Sequence, residues 1–174
     1  EAEPAQSAPV ASQPAPEASS ATVATTANQA ETQDQDSVRV NDQKYHTKVQ
    51  VSMVSDYKSV NPGQSFWVGL ILQMPEGWHI YWQNPGDDSG LATTVSWSVP
   101  EGFQIDPSDW PTPQRIRDSD SISYGYVGGE TPILAKITPS KLLPVGHAFP
   151  VKATVNWIEC EQYCSPGEAH LQTT

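Results

Sequence analysis

Basic residues are scarce in this chain: nine Lys and Arg stand against twenty Asp and Glu, for a formal net charge of −11. No run of Lys and Arg breaks the acidic background, which argues against a nucleic-acid partner. An acidic surface steers basic or dipolar protein partners, a weak guide by itself. Long apolar runs are missing too, and nothing approaches the roughly 18 to 20 residues of a membrane-spanning helix. Aromatic residues are absent from positions 1–44, where Ala, Pro, Ser, Thr, Gln and Glu dominate. Such a stretch cannot bury enough apolar surface to offset its chain entropy, so it reads as a disordered tether. Its opening, EAEPAQSAPVASQPAP, resembles the new amino terminus left when a signal peptide is removed, with an ordinary disordered terminus as the alternative.

From Tyr45 onward all six Trp, all six Tyr and all three Phe appear, and the remaining 130 residues suffice for a self-supporting core. Helical periodicity is nearly absent, while period-two alternation recurs. Tyr45, Thr47, Val49, Val51 and Met53 share one face; Phe66, Val68, Leu70 and Leu72 share another, with Trp67 and Ile71 behind them. GWHIYW groups Trp78, Ile80 and Trp82, and later runs group Val95 with Trp97, Ile133 with Ala135 and Ile137, and Phe149 with Val151, Ala153, Val155 and Trp157. Turn signals lie between them, among them NPGQ at 61–64, MPEG at 74–77, NPGDDSG at 84–90 and GG at 128–129. Short strands at this spacing predict an all-β, immunoglobulin-like antiparallel β-sandwich over 45–174, with a small β-barrel as runner-up. The stretch 106–129 lacks sustained alternation and reads as a long functional or mobile loop holding Tyr124, Gly125 and Tyr126.

Only two cysteines occur, Cys160 and Cys164, in WIECEQYCSPG. A structural disulfide is the ordinary reading for an exported protein. Immunoglobulin-type staples, however, join strands far apart in sequence. A bridge here closes a loop of about five residues, worth about 2 kcal/mol against roughly 4 to 5 kcal/mol for a loop near 100 residues. Spacing suits a switch better. Alternation through Lys152, Thr154 and Asn156 extends the outward face to Cys160, and inward Ala169 and Leu171 leave Cys164 outward as well. A three-residue hairpin loop, Glu161-Gln162-Tyr163, then sets the two Cys opposite each other, at the roughly 4.5 to 5.5 Å Cα separation of paired strand residues. Both sulfurs are expected near the surface, as thiol exchange requires. Glu159 and Glu161 are expected to raise the thiol pKa values above the ordinary value of about 8.5. Three readings remain open: a dithiol that exchanges disulfides with proteins outside the cytoplasm, an inert staple in a binding or adhesion module, and a metal site. For the last, His147 or His170 would assist, but two Cys without a second pair make a thin zinc signature.

LQMPEGWHIYWQNPGDDSGL, WSVPEGF, WPTPQRI and above all VNWIECEQYCSPGEAHL resemble the amino-terminal periplasmic domain of the DsbD/ScsB family of thiol:disulfide interchange proteins, over residues 45–174. The cysteine spacing is closer to the ScsB-like branch. The resemblance implies an immunoglobulin-like domain with no cofactor, Cys160 and Cys164 as its redox pair, and the Tyr124, Gly125 and Tyr126 region as a cap loop shielding them. It implies a periplasmic location within an inner-membrane protein, electrons arriving from a transmembrane domain of the same protein, and delivery to periplasmic thioredoxin-fold proteins such as disulfide isomerases or cytochrome c maturation factors. On that basis the sequence reads as one domain of a longer protein, with Cys164 as the attacking residue.

The other features have plainer readings. Trp78, Trp82, Trp97 and Trp157 fit a sandwich core. A carbohydrate-binding strip would draw on Trp67, Tyr81 and Trp110. Asp87 and Asp88 in NPGDDSG could suggest a calcium loop, but turn formation explains them more simply. His79, beside Trp78 in a strand, reads as structural.

Overall fold

A computed structural model describes residues 47–86, 90–118 and 121–174. The 1–44 tether, Tyr45, and Asp87 and Asp88 lie outside the described residues. Among the described residues there is no helix, and therefore none long and apolar enough to cross a membrane.

Among the described residues, eight antiparallel strands run in chain order as β1 (Gln50–Ser55), β2 (Phe66–Tyr81), β3 (Thr94–Ser98), β4 (Phe103–Ile105), β5 (Gln114–Asp118), β6 (Ser121–Pro139), β7 (Val151–Cys160) and β8 (Cys164–Thr173). Hydrogen bonding runs β3-β7-β2-β6-β4, with β1 on β2, β5 on β6 and β8 on β7. The sheet curls into an immunoglobulin-like sandwich. One layer holds β1, the first part of β2, the second part of β6, and β4. The other holds β3, β7 and β8. Alternation builds the core between them, as expected: Val51, Met53, Val68, Leu70, Leu72, Ile133, Ile137, Val155, Trp157, Ala169 and Leu171 are all buried in a single cluster.

Two turn signals resolve differently. MPEG and the GG pair are not chain reversals but facing kinks inside long strands. Met74 pairs with Gly129 and His79 with Val127, so residues 75–78 bulge opposite Gly128 alone. Gly128 and Gly129 have φ of +57° and +69°, the left-handed region that residues with a Cβ enter only at a cost. The extra length bends β2 from one layer toward the other, as β-bulges do. Beyond the bulge, His79 and Ile80 pair with Cys160 and Glu159 of β7. Among the described strand pairings, this corner is where the two layers are hydrogen-bonded to each other.

The 106–129 stretch also differs from the expected loop. It contains β5 and the first part of β6, a hairpin whose register runs from Gln114↔Gly125 to Asp118↔Ser121. Its alternation is hard to see because β5 lies at an edge, where few residues must be apolar.

Candidate functional site

Register brings the two cysteines together. β7 and β8 form a continuous ladder that ends at Cys160↔Cys164, leaving Glu161, Gln162 and Tyr163 as the loop. The loop is closed by the Glu161 amide donating to the Tyr163 carbonyl at 3.3 Å. The sulfurs are bonded at 2.07 Å with the Cα atoms 4.1 Å apart. Ladder pairing alone places these side chains on the same face, which is why the bond needs no distant element to form.

The two cysteines differ sharply in exposure, and here the expectation of two surface cysteines is corrected. Cys164 is exposed, whereas Cys160 is 2% exposed. Cys160 does stand on the outward face of β7, but β2 passes beside it at this level. The Tyr81 hydroxyl lies 3.8 Å from Cys160 Sγ. A disulfide sulfur carries no hydrogen, so in this state the hydroxyl is the donor. Tyr81 is itself buried, its ring against Gly90, where a Cβ would strike the ring carbons. Its carbonyl accepts from the Thr93 hydroxyl, which ties the approach to β3 to the end of β2. His79 shares this face two residues earlier, packing edge-on to Tyr81 with ring centroids 5.5 Å apart and planes at 88°.

Glu159 faces the opposite way and is buried at 1% exposure. Its carboxylate accepts from the backbone amides of Lys48 and Val49, at 2.8 and 3.0 Å, and from Trp157 Nε1 at 3.0 Å. Three N–H donors on one carboxylate satisfy the charge far from water, as a buried carboxylate requires. They pin the approach to β1 against the end of β7. That carboxylate is thus directed at the core side of the strand rather than at the sulfurs. Glu161 is exposed in the hairpin loop.

The three residues expected as a cap lie one strand away, on β6. Gly125 pairs with Tyr81, and a Cβ there would run into the Ile80 carbonyl oxygen. Tyr124 is 41% exposed. Its amide donates to the Pro85 carbonyl at 2.8 Å and its carbonyl accepts from the Trp82 amide at 2.9 Å. Tyr126 is part of the core cluster, and its hydroxyl donates to the Pro111 carbonyl at 2.8 Å. Burial pushes the Tyr126 phenol up to about 12.

Other candidates sit elsewhere. His170 Nε2 is 2.9 Å from Glu168 on β8, and His147 lines a cleft with Phe66 and Phe149 at the opposite end of the sandwich. Neither is at the cysteines, and no group of three metal-ligating side chains forms among the described residues. Trp67 is 42% exposed, while Tyr81 is buried and Trp110 packs on the core, so the three make no aromatic strip. Of the tryptophans assigned to the core, Trp157 is buried in it and Trp82 and Trp97 pack against it. Trp78 is half-buried outside that cluster. The residues that sequence reading passed over are Tyr81 and His79, whose nearness to Cys160 is a property of the bulged β2 register.

Comparison with known proteins bears on this arrangement. The family described as thiol:disulfide interchange protein DsbD, N-terminal, matches residues 48–174. The N-terminal periplasmic domain of ScsB from Proteus mirabilis is similar in fold, with a TM-score of 0.51 at 20% identity, over 72% of this chain. The chain spans 45% of the length of that structure. The GAE domains of yeast GGA1 and of GGA2p from Saccharomyces cerevisiae both have TM-scores of 0.40, at 6% and 9% identity. They are matched over 99% and 98% of their lengths and cover 78% of this chain. Among curated proteins, none matches.

Proposed function

The chain belongs to the family of DsbD-type N-terminal thiol:disulfide interchange domains, and from that premise we propose that it is a periplasmic electron relay working through Cys160 and Cys164. The observation that carries this reading is the asymmetry of the disulfide: one cysteine is exposed and its mate is enclosed. Attack by a partner thiolate is in-line on an accessible sulfur, so Cys164 forms the mixed disulfide and Cys160 leaves or resolves. An inert staple has no need of one exposed cysteine at the base of a three-residue hairpin loop.

Electrons enter from a transmembrane domain of the same full-length protein and pass to thioredoxin-fold proteins of the disulfide isomerase or cytochrome c maturation type. Two thiol–disulfide exchanges accomplish each transfer, and no cofactor is needed. The cover over Cys160 is Tyr81 backed by Gly90, and Tyr124 steadies the neighbouring 83–86 segment through its backbone bonds. Gly125 leaves room for Ile80, and Tyr126 anchors β6 beneath them. If Tyr124 belongs to the shield, Tyr124→Ala speeds alkylation of the reduced cysteines by small reagents, and an unchanged rate removes it.

Trapping tests the relay directly. The Cys160→Ser domain keeps the exposed thiol and should accumulate a mixed disulfide with periplasmic thioredoxin-fold proteins, while Cys164→Ser should not. A folded Cys160→Ser domain that captures none of them would sink the proposal. Reduction potential gives an independent check, since a shuttle belongs between about −270 and −120 mV and inert staples lie below about −300 mV.

A further inference from the structure

Breaking the disulfide at its exposed sulfur creates a problem on the buried side. The electron pair of the broken bond leaves on Cys160 Sγ, in a site 2% exposed. A thiolate enclosed there needs a hydrogen-bond donor at once and a proton soon after. Tyr81 supplies the first, with its hydroxyl 3.8 Å away. It does not supply the second at neutral pH, because a phenol ordinarily holds its proton to about pH 10.

His79 is placed to do so. It is the direct cross-strand partner of Cys160, and directly opposed residues hold their Cβ atoms about 4.5 to 5.5 Å apart on one face. It is half-buried, so the residue keeps some access to solvent on the face it shares with Cys160. Imidazole ordinarily titrates near pH 6.5, in the range where a proton can be both given and taken. The edge-on packing restrains the imidazole against the ring of Tyr81, whose hydroxyl lies 3.8 Å from the sulfur.

We propose that His79 is the proton donor and acceptor for Cys160 during disulfide exchange. The inference rests on the relay reading for the order in which the two sulfurs react. In the accepting direction a partner thiolate bonds to Cys164 Sγ, the Cys160–Cys164 bond breaks, and Cys160 Sγ leaves with the electron pair. The His79 imidazolium then gives its proton to that sulfur, leaving a thiol and a neutral imidazole. The partner's second thiolate next displaces Cys164, so the partner is oxidised to a disulfide and the domain is reduced by two electrons. In the donating direction neutral His79 takes the proton from Cys160 as that sulfur attacks the mixed disulfide at Cys164.

Among the described residues few other groups compete for this role. On β2 the neighbouring titratable side chain of the same face is Tyr81. From β7 and its hairpin come Cys160, Glu159 turned to the other face and bound by three N–H donors, and Glu161, whose carboxylate packs beside Gly77. β8 contributes Cys164, and β6 presents the apolar Val127 opposite His79.

The test uses a chromogenic aryl disulfide, dithiobis(nitrobenzoate), on the reduced domain. The first thionitrobenzoate released reports attack by the exposed thiol, and the second reports closure by Cys160. In the unsubstituted domain the rate of the second release should pass through an inflection near the histidine range. His79→Gln should abolish the inflection and slow that release by about a hundredfold at pH 7, within the usual span of acid–base catalysis. Tyr81→Phe should slow release yet keep the inflection. Superimposable pH profiles for His79→Gln and the unsubstituted domain would overturn the proposal. Should His79→Gln not fold, the unsubstituted domain still decides. The His79 ring resonances must titrate with different midpoints in the oxidised and reduced states, and identical midpoints refute it. No protein partner enters either measurement, so a failure to trap partners would stand apart from a failure here.

Discussion

The two parts of β2 and β6 on either side of their kinks behave as different materials. On one side Phe66, Val68, Leu70, Leu72 and Met74 are buried, and Ile133, Ala135 and Ile137 meet them across the ladder in the same state. On the other side the same strands still send Ile80 and Tyr126 into the core, while their other face carries half-buried His79, buried Tyr81 and a Val127 that is 41% exposed. The first region obtains its order from alternation within each strand and from apolar area. The second obtains it from which strand arrives next to it, since β7 is what turns an outward face into an enclosed one. Apolar packing and the disulfide are thereby separated along single strands: one part is apolar and interlocked, and the part beside Cys160 lies at a seam.

That separation can be broken first from the apolar side. Leu70→Ala should cost about 3 to 5 kcal/mol in urea unfolding, the range for a buried Leu in a core that cannot collapse. While the variant remains folded, its rate of reaction with aryl disulfides should be unchanged. A large change in that rate would mean that the two regions are coupled. Glu159→Ala comes next, at about 3 kcal/mol, because it leaves the Lys48 and Val49 amides and the Trp157 indole N–H without their acceptor. Glu159→Gln should cost less, since the amide oxygen still accepts. Reducing the disulfide should cost only about 2 kcal/mol, as a five-residue loop constrains little of the unfolded chain. Hydrogen exchange should show that loss confined to the ends of β7 and β8, with protection in β1 and the first part of β2 retained. A loss spread across the whole sandwich would favour the staple reading.

Much of this was legible in the sequence, and the division falls along the same line. The apolar faces of β1, β2, β7 and β8 were legible because period two needs no knowledge of partners. The Cys160–Cys164 pairing was legible for a similar reason, since a three-residue hairpin fixes register locally. What was not legible was set by long-range pairing. MPEG and GG read as turns, and only their juxtaposition across β2 and β6 makes them matched kinks. Cys160 was placed at the surface because alternation tells inward from outward but not whether the outward side is covered. The place of His79 opposite Cys160 depends on a distant partner on β7, and Glu159 read as a charge near the thiols because its acceptor role depends on the backbone of Lys48 and Val49.

Tyr126 offers the smallest effect and the finest test of where the two regions meet. It belongs by sequence to the part of β6 near the site, yet its ring joins the apolar core and its hydroxyl donates to the Pro111 carbonyl. Tyr126→Phe should therefore cost about 1 kcal/mol at pH 7, the ordinary worth of one neutral hydrogen bond. Its pH signature is more specific. Burial pushes the phenol from 10.0 to about 12, so the folded state favours the protonated ring. That contribution is complete below the unfolded value near 10 and is lost as the pH rises through the folded value near 12. Unfolding measured across this window should show a falling alkaline limb in the unsubstituted domain and a shallower one in Tyr126→Phe. An undiminished limb in the variant would mean that the Tyr126 ring ionises as freely folded as unfolded. The kink would then divide the core as well as the surface.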